Sequence, residues 1–316
     1  MRDWRKWIVE AEKRNHVSLI INPLLRPDLT TLAASVTAPL ITRFAPSPTG
    51  YLHLGHVVNA IYVWGVARAL NGRVLLRVED HDRIRCRPEY EAALLEDLAW
   101  LGFVPDIGLE PLLRQSDTPF AYEQALHGLS ATTHVYACEC SRKDFGGERY
   151  DGRCRGRGLK TAAGRGIRVQ LGHEVENFED ALLGRLSQVP AEQCGDLLVR
   201  DRDGHWTYQF AVTVDDLRQN VTLVIRGADL VSSTGRQILL ARMLGRRNAP
   251  LFLHHPLIHD DRGEKLSKSA GDTGIRELRC IGLSAPEVIG IAAARVGLVD
   301  PGTSIDASEV SRLFEP

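Results

Sequence analysis

Long hydrophobic runs are missing from this sequence of 316 residues. No apolar stretch approaches the roughly 20 residues that a helix needs to cross a bilayer, so we expect no interaction with a membrane. The segment Met1–Val17 carries charges throughout and has no apolar centre, and we therefore expect no secretory signal. These two absences predict a cytoplasmic protein, and we also expect it to be a monomer.

Cysteine is scarce as well, with six residues in the chain. Thiols stay reduced in the cytosol, so a cluster of cysteines predicts a metal site before it predicts a disulfide. An excess of charge of one sign is also missing, because the formal net charge is -1. A nucleic-acid partner is still compatible with this balance, since a local basic patch can bind phosphates on a neutral protein.

One segment does carry an excess of positive charge. Residues 142–168 contain nine basic side chains against three acidic ones. Such a run forms either a solvated loop or a contact with nucleic-acid phosphates, and the charge run alone favours the solvated loop.

Apolar periodicity predicts an α/β fold with a parallel sheet. From Leu40 onward, short apolar runs alternate with segments of helical spacing, which is typical of such sheets. The elements predicted first are the strand Leu40–Phe44, the helix His56–Leu70, the strand Arg73–Val78 and the helix Pro88–Leu101. Further along the chain, the predicted elements are the strands Val221–Arg226 and Leu251–His255 and a helix that begins near Ser233.

Two regions do not follow this alternation. Residues 1–39 are interrupted by prolines and contain one helix candidate, Trp4–Arg14, so we interpret them as an extension outside the core. Residues 130–200 are rich in glycine, arginine and cysteine, and we interpret them as an inserted subdomain with strand candidates at Ile167–Leu171 and Leu197–Arg200. The predicted regions are therefore the extension 1–39, the first half of the α/β domain at 40–129, the insertion 130–200, the second half at 201–258, and a region at 259–316 that consists of a lysine-containing loop and C-terminal helices.

Two histidines lie three residues apart where a loop is predicted to enter a helix, in His53-Leu54-Gly55-His56. Helix geometry places residues at this spacing on one side. Anions bind at a helix N-terminus, and imidazole donors beside it could stabilise the charge that builds on a phosphorus under attack. Gly55 would let a base or a ribose approach the backbone. The alternative is a turn that contains two histidines by chance.

Two lysines form a second motif, Lys265-Leu266-Ser267-Lys268-Ser269, in a polar segment that contains glycine. Their charges on mobile stems could close over a triphosphate. Taken alone, the motif is better explained as an exposed basic turn.

Together, the two motifs resemble the "HIGH" and "KMSKS" motifs of class I aminoacyl-tRNA synthetases. The runs that resemble the glutamyl and glutaminyl branch of this family are Arg43-Phe44-Ala45-Pro46-Ser47-Pro48-Thr49-Gly50 and Arg77-Val78-Glu79-Asp80-His81-Asp82. That branch usually has threonine at the position of His81. Pantothenate synthetase-like ligases share an H-x-G-H and a lysine loop, but they would not explain the first of these runs.

The resemblance, which extends from about Leu40 to about Ser269, implies a Rossmann-like domain that activates L-glutamate with ATP and Mg²⁺. The catalytic residues that it implies are His53, His56 and Lys268, and the further ATP-binding residues are Gly55 and Lys265. The glutamate site that it implies consists of Arg43, Tyr208 and Arg226 around the side-chain carboxylate, with Ser47 and Glu79 at the α-amino end. Val212 stands where the family usually has asparagine, and this departure predicts weaker glutamate binding.

Three cysteines and a tyrosine are spaced as Cys138-x-Cys140 and Tyr150-x3-Cys154. Three thiolates and one oxygen can form a closed zinc site, which would stabilise a glycine-rich insertion. The alternative, buried or incidental thiols, fits the scattered Cys86, Cys194 and Cys280. Glutamyl-Q tRNA(Asp) synthetases, small paralogues within the synthetase family, share this arrangement, so the resemblance implies structural Zn²⁺ at Cys138, Cys140, Tyr150 and Cys154, with His173 or water as alternatives to Tyr150.

The segment after Ser269 is too short for the helical anticodon-binding domain of full-length glutamyl-tRNA synthetases. With the cysteine spacing, this resembles the glutamyl-Q tRNA(Asp) synthetase paralogues. The resemblance implies glutamate activation without tRNA, followed by transfer to queuosine at the wobble position of tRNA(Asp). The alternatives are a minimal glutamyl-tRNA synthetase that charges a tRNA 3′ end and a catalytically idle paralogue that binds tRNA. The intact His53, His56 and Lys268 argue against the idle paralogue.

Overall fold

The computed structural model describes residues 26–36, 39–82, 84–146, 149–258 and 274–315. The α-helices of these ranges are α1 Leu29–Ser35, α2 Leu54–Ala69, α3 Pro88–Leu101, α4 Pro119–Thr132, α5 Pro190–Cys194, α6 Tyr208–Arg218, α7 Thr234–Met243, α8 Ile275–Cys280 and α9 Ala285–Arg295. The strands are β1 Ile41–Phe44, β2 Arg73–Val78, β3 Leu113–Arg114, β4 Val135–Cys138, β5 Gly166–Val169, β6 Glu176–Asp180, β7 Gly184–Gln188, β8 Leu197–Arg200, β9 Leu223–Gly227 and β10 Leu251–His255. Short 3₁₀ helices cover Gln115–Asp117, Arg142–Phe145, Ala228–Ser233 and Ala307–Leu313.

Parallel strands form the centre of the fold, as the alternating pattern predicts. Strand β2 pairs in parallel with β1 and β3, and β10 pairs in parallel with β9 and β6. Thr222 N donates to Ile41 O at 2.9 Å, so the chain that enters β9 lies beside β1. Helix α2 packs against β1, β2 and β9. The C-terminal ends of β1 and β9 therefore meet at one edge, where ligands bind in open α/β sheets.

Helix α2 begins two residues before its predicted start, because His53 caps it. The His53 side chain accepts a hydrogen bond from Gly55 N, and the His56 side chain accepts one from His53 N. Along the helix, Val57, Ile61 and Trp64 are buried against the sheet. The reciprocal caps and the buried face thus place the histidine motif at the edge described above.

The segment 130–200 does not fold apart from the α/β domain. Strands β4, β5 and β8 form an antiparallel sheet, but the hairpin of β6 and β7 joins the main sheet, with Asp180 opposite Phe252. In the other direction, Ile167 and Val199 pack in one core with Phe210. Residues 176–188, which we interpreted as part of an inserted subdomain, therefore belong to the sheet that contains β10. The hairpin escaped prediction because two of the three inward positions of β6 are carboxylates, Glu176 and Asp180.

Part of the region interpreted as an extension outside the core is folded onto it. Helix α1 is capped by the Asp28 carboxylate, and Leu32 is buried in the main hydrophobic core. Arg26 Nη2 donates to Leu298 O at 2.9 Å. The interpretation is therefore wrong for residues 26–36, because one buried leucine in a short helix gives almost no periodic signal. The helix candidate Trp4–Arg14 lies outside the described residues.

The C-terminal region returns to the helix that carries the histidine motif. Phe314 packs on Tyr62 with ring centroids 5.1 Å apart. Gly65 is required there, since a Cβ at this position would lie 2.2 Å from Phe314 Cε2. None of the helices in the described ranges is long and apolar enough to cross a bilayer.

Candidate active site

The residues that the resemblance assigns to ATP or glutamate come together in a cleft of about 560 Å³ at the C-terminal edge of the sheet. Eight of them line it: Arg43, Ser47, His53, Gly55, His56, Glu79, Tyr208 and Arg226. Lys265 and Lys268 lie outside the described residues. Widely separated parts of the sequence therefore contribute to one concave site.

The capping bonds of α2 determine which ring nitrogens of the two motif histidines carry hydrogen. His53 Nδ1 accepts from Gly55 N at 3.1 Å, and His56 Nδ1 accepts from His53 N at 3.1 Å. A backbone N–H can only donate, so in the neutral rings both protons are on Nε2. The ring centroids are 4.0 Å apart. Two imidazole N–H donors thus lie together at a helix N-terminus, where anions bind.

The structure gives a local reason for glycine at position 55 that the motif did not reveal. A Cβ on this residue would lie 2.9 Å from His53 Cε1. Glycine is therefore needed for the His53 ring to fold back and cap the helix.

A buried ion-pair network includes two residues that line the cleft, Arg43 and Glu79. Arg43 Nε lies 3.2 Å from the Asp216 carboxylate, and Arg77 lies 2.8 Å from both Asp216 and Glu79. Burial would raise the pKa of Asp216, but the two guanidinium groups hold it below its ordinary value. Arg77 and Asp216 were not assigned a role from the sequence. They orient Arg43 and Glu79, and they offset the charge of each.

Arg226 differs from Arg43 in that its bonded partners are neutral. Its guanidinium donates to Gln237 Oε1 at 2.7 Å, to Thr234 Oγ1 at 2.8 Å and to His254 Nε2 at 3.0 Å. Within the described ranges, no carboxylate forms an ion pair with it, although only 4% of the residue is exposed. Burial disfavours the charged form of both residues, so it lowers the pKa of Arg226 and raises the pKa of the neighbouring Tyr208. An uncompensated buried cation is costly, so this part of the cleft favours an anionic ligand.

His81, noted in the sequence only as a departure from the family, also lines the cleft. Its Nδ1 lies 2.7 Å from Gln115 Oε1, and Gln115 Nε2 donates to Asp215 Oδ2 at 2.9 Å. Tyr122 donates to the same carboxylate oxygen at 2.8 Å. Because the Gln115 oxygen accepts, His81 carries its proton on Nδ1. Nothing in the sequence pattern could reveal this chain of contacts.

The positions of two other residues relative to the cleft were not predicted from the sequence. Cys86, interpreted as an incidental thiol, has its Sγ 3.7 Å from Ser47 Oγ. Val212, for which we expect weaker glutamate binding, is 1% exposed in helix α6 and is not part of the lining of the cleft.

The spaced cysteines form a compact cluster beside β4. The Sγ atoms of Cys138, Cys140 and Cys154 all lie within 4.8 Å of one another, and Tyr150 Oη is 3.5 Å from Cys138 Sγ. The Cys140 and Cys154 Sγ atoms are 3.5 Å apart. Burial and the hydrogen bond to Cys154 raise the pKa of Cys140 to about 12, so a bound cation would favour the thiolate form of this residue. His173 is not part of this group.

Arg168 belongs to the same cluster and was missed as a contributor to it. Its guanidinium lies 3.8 Å from the centre of the Tyr150 ring, and its Nε donates to Cys138 Sγ at 3.4 Å. The residue is buried, so its charge is directed at the cysteine cluster and not at solvent.

Much of the positive charge of residues 142–168 is neutralised locally. Arg153 pairs with Asp151, Arg155 with Asp196, and both Arg157 and Arg165 with Glu139. Among the side chains that the structure describes, the basic ones that stay exposed and outside any ion pair are Lys143, Arg149 and Lys160. The surface is therefore less basic than the composition suggests.

Comparison with known proteins links these features to one family. A family model described as "tRNA synthetases class I (E and Q), catalytic domain" matches residues 39–283. The glutamyl-Q tRNA(Asp) synthetase of Methylococcus capsulatus is 41% identical over 244 residues, which cover 76% of this chain and 80% of the relative. The protein of the same name from Burkholderia cenocepacia is 43% identical over 246 residues, covering 74% of this chain and 81% of that one.

Solved structures show the same fold. A glutamate tRNA ligase from Elizabethkingia meningosepticum, in complex with its amino acid, superposes with a TM-score of 0.74 at 26% identity. The match covers 88% of this chain but only 65% of the ligase, so this chain spans slightly less than two thirds of that protein. A methionyl-tRNA synthetase from Mycobacterium tuberculosis matches with a TM-score of 0.50 at 11% identity, a likeness of fold alone.

Proposed function

We propose that this chain activates L-glutamate and transfers it to queuosine in tRNA(Asp). The chain belongs to the glutamyl-Q tRNA(Asp) synthetases, within the class I synthetase family for glutamate and glutamine. The observation that supports this activity most directly is Arg226, a buried guanidinium with neutral partners in a cleft that also contains His53 and His56. A buried cation beside two imidazoles suits a substrate that has a side-chain carboxylate and whose α-carboxylate reacts with a nucleotide phosphate.

Glutamate fits the charge distribution of the cleft. Its side-chain carboxylate pairs with Arg226 and Tyr208, with Arg43 on the same side. Its α-ammonium is held by Glu79 and Ser47. The place of the side-chain carboxylate follows from the charges, because Arg43 is already paired with Asp216 whereas Arg226 pairs with no carboxylate among the described residues. Buried charges of opposite sign in such a site recognise a zwitterion with an acidic side chain.

Adenylation follows from the two imidazole donors. An α-carboxylate oxygen of glutamate attacks the α-phosphorus of ATP, and pyrophosphate leaves. The Nε2–H groups of His53 and His56 donate to the phosphate oxygens, on which negative charge increases in the transition state. ATP enters with Mg²⁺, which neutralises part of the phosphate charge when it is bound. Lys265 and Lys268 contribute cations to the same triphosphate.

Transfer requires a nucleophilic hydroxyl. The cyclopentene-diol of queuosine offers one. Its oxygen attacks the carbonyl carbon of the adenylate, AMP leaves with the bonding electrons, and the hydroxyl proton passes to the departing phosphate or to solvent. RNA loops with exposed bases are the usual targets of specific recognition, and basic side chains contact their phosphates. Lys143, Arg149 and Lys160 are the described candidates for such contacts, since they are exposed and unpaired by acids in the part of the chain that the structure describes.

Transfer of labelled glutamate tests the acceptor. We expect transfer to tRNA(Asp) that contains queuosine and none to the same transcript without it, because the unmodified base lacks the diol. Transfer to the modified tRNA should weaken as the salt concentration rises, since phosphate contacts release counterions.

Two outcomes would contradict this assignment. Charging of tRNA(Glu) at its terminal adenosine would identify a minimal glutamyl-tRNA synthetase. Absence of glutamate-dependent exchange between ATP and pyrophosphate, in a folded protein without tRNA, would favour the idle paralogue.

Zinc is proposed at the cysteine cluster because the donor set fits it. Tetrahedral Zn²⁺ with Zn–S bonds of about 2.3 Å places ligand sulfurs about 3.8 Å apart. The distance of 3.5 Å between the Cys140 and Cys154 Sγ atoms is close to this, and Cys138 and the Tyr150 oxygen complete four donors. The ion would neutralise the thiolates and connect β4 to the segment that contains Tyr150 and Cys154.

The cytosolic location and the monomeric state of the protein remain predictions.

We expect about one zinc per chain, which is lost when Cys138 and Cys140 are both replaced by serine, because serine oxygens are poor zinc ligands at this geometry. Metal analysis of protein purified without chelator measures this. Replacement of the exposed Cys280 by serine is the matched control and should retain the metal. A metal-free wild-type protein would contradict the proposal, and so would a double variant that keeps its zinc.

A further inference from the structure

Arg226 is held at the end of a hydrogen-bonded relay that begins in the hairpin of β6 and β7. Asp180, the last residue of β6, has its Oδ2 2.6 Å from His254 Nδ1 and also accepts from His254 N at 3.1 Å. On the other side of the same ring, His254 Nε2 accepts from Arg226 Nε at 3.0 Å. Asp180 and His254 are both 2% exposed or less, so solvent does not compete for these bonds.

The chemistry of the partners determines the tautomer of His254. A guanidinium can only donate, so the Nε2 atom that faces Arg226 carries the lone pair. The proton is then on Nδ1, which donates to the Asp180 carboxylate. Burial lowers the pKa of His254 although Asp180 acts in the opposite direction, and the ring is therefore neutral. A neutral ring thus separates the negative Asp180 from the positive Arg226.

This separation matters for the charge of the site. Direct contact with Asp180 would neutralise Arg226, as Asp216 does for Arg43. Instead the guanidinium meets His254, Gln237 and Thr234, which take up three of its five N–H donors. The orientation of Gln237 is itself fixed, because its Nε2 donates to Gln209 Oε1 at 2.8 Å. Arg226 is thereby oriented by three bonds without losing its charge.

We propose that Asp180 and His254 are positioning residues that orient Arg226 and keep its partners neutral, so that the cleft selects a side-chain carboxylate over a side-chain amide. The inference rests on the proposed glutamate site and assigns it a determinant outside the cleft. It also gives the β6–β7 hairpin, which joins the main sheet from within residues 130–200, a role in substrate selection. Glutamine is neutral at the same position, and it would leave the Arg226 charge uncompensated.

Two replacements of His254 separate positioning from packing. A glutamine side chain at position 254 has an amide N–H that can donate to Asp180 and an amide oxygen that can accept from Arg226. A leucine side chain fills the space but has neither group. We expect His254→Leu to raise KM for glutamate about tenfold or more in ATP–pyrophosphate exchange, with kcat within about threefold of the wild type. Its preference for glutamate over glutamine should fall by a similar factor. His254→Gln should keep KM and preference within about threefold of the wild type.

The hairpin end of the relay has its own matched pair. Asp180→Asn places an amide donor toward the His254 proton, whereas Glu179→Gln makes the same chemical change at the exposed neighbouring position. We expect the Asp180 variant to raise KM for glutamate and the Glu179 variant to match the wild type. Wild-type KM and wild-type preference in both His254→Leu and Asp180→Asn would overturn the inference.

A measurement without substrate distinguishes failure of this inference from failure of the proposed function. Nitrogen-15 spectra report the tautomer of His254, whose signals are identified by their loss in His254→Gln. We expect the proton on Nδ1 at neutral pH. A proton on Nε2 would overturn the relay whatever the substrate is. A wild-type protein with the expected tautomer but without glutamate-dependent exchange would refute the glutamate site, and with it the selectivity that we assign to the relay.

Discussion

Replacement of Arg226 by methionine should lower kcat/KM for glutamate about a thousandfold or more in the ATP–pyrophosphate exchange reaction, on the order of 4 kcal/mol. The reason is that Arg226 is the buried cation of the cleft that pairs with no carboxylate among the described residues. Methionine has similar bulk but no charge, so the glutamate carboxylate would be desolvated without an ion pair. Most of the loss should be in KM, because the carboxylate is charged in the ground state as well as in the transition state.

Two controls make this result specific to the charge. Arg226→Lys keeps the charge but loses the planar fork, and it should recover part of the affinity. Arg185→Met makes the same change at an exposed position of the β6–β7 hairpin and should leave exchange unaffected. An Arg226→Met protein that melts near the wild-type temperature and binds glutamate normally would remove Arg226 from the site.

Strands and helices with apolar cores were predictable from the sequence. The bounds of β2, α3, β8 and β10 agree with the predicted segments to the residue. Continuous apolar runs define the three strands, and Pro88 marks the first position of α3. In such segments the hydrophobic pattern and the local geometry give the same answer, so tertiary contacts are not needed to locate them.

Segments that bury polar side chains were not predictable in this way. Helix α6 buries Thr213, Asp215 and Asp216, and its pattern of apolar residues is therefore incomplete. Helix α3 was located correctly, but its buried face includes the carboxylate of Asp97, which apolar spacing does not indicate. Hydrophobic periodicity cannot detect a charge that is buried because a distant residue pairs with it.

The same limit separates the parts of the site that the sequence revealed from those that it did not. Motif resemblance identified Arg43, Glu79 and Arg226, because each stands in a recognisable run of residues. The groups that orient them were not recognised in this way. Arg77 stands in one of these runs but was assigned no role, and Asp216 and His254 lie elsewhere in the chain, so their contacts become evident only when the strands are brought together. Their function depends on contacts across the sheet, which no local pattern encodes.

The Lys265–Ser269 motif lies outside the described residues, but both of its flanks are at the cleft. Ile258 lines the cleft, and Gly274 forms a bridge with His53. Ile275 N also donates to Leu52 O at 3.1 Å, which fixes the chain beside the histidine motif.

Replacement of Lys268 by alanine should therefore lower adenylate formation about a hundredfold or more, on the order of 3 kcal/mol. A cation that meets the triphosphate stabilises the charge that moves onto pyrophosphate as the bond to the α-phosphorus breaks. The loss should be in kcat, with little change in KM for glutamate, because we expect Arg226 and not this lysine to hold glutamate. Lys268→Arg keeps the charge on a stem of similar length and should retain more activity than alanine. Wild-type exchange rates in a purified and folded Lys268→Ala protein would show that this lysine does not act on ATP.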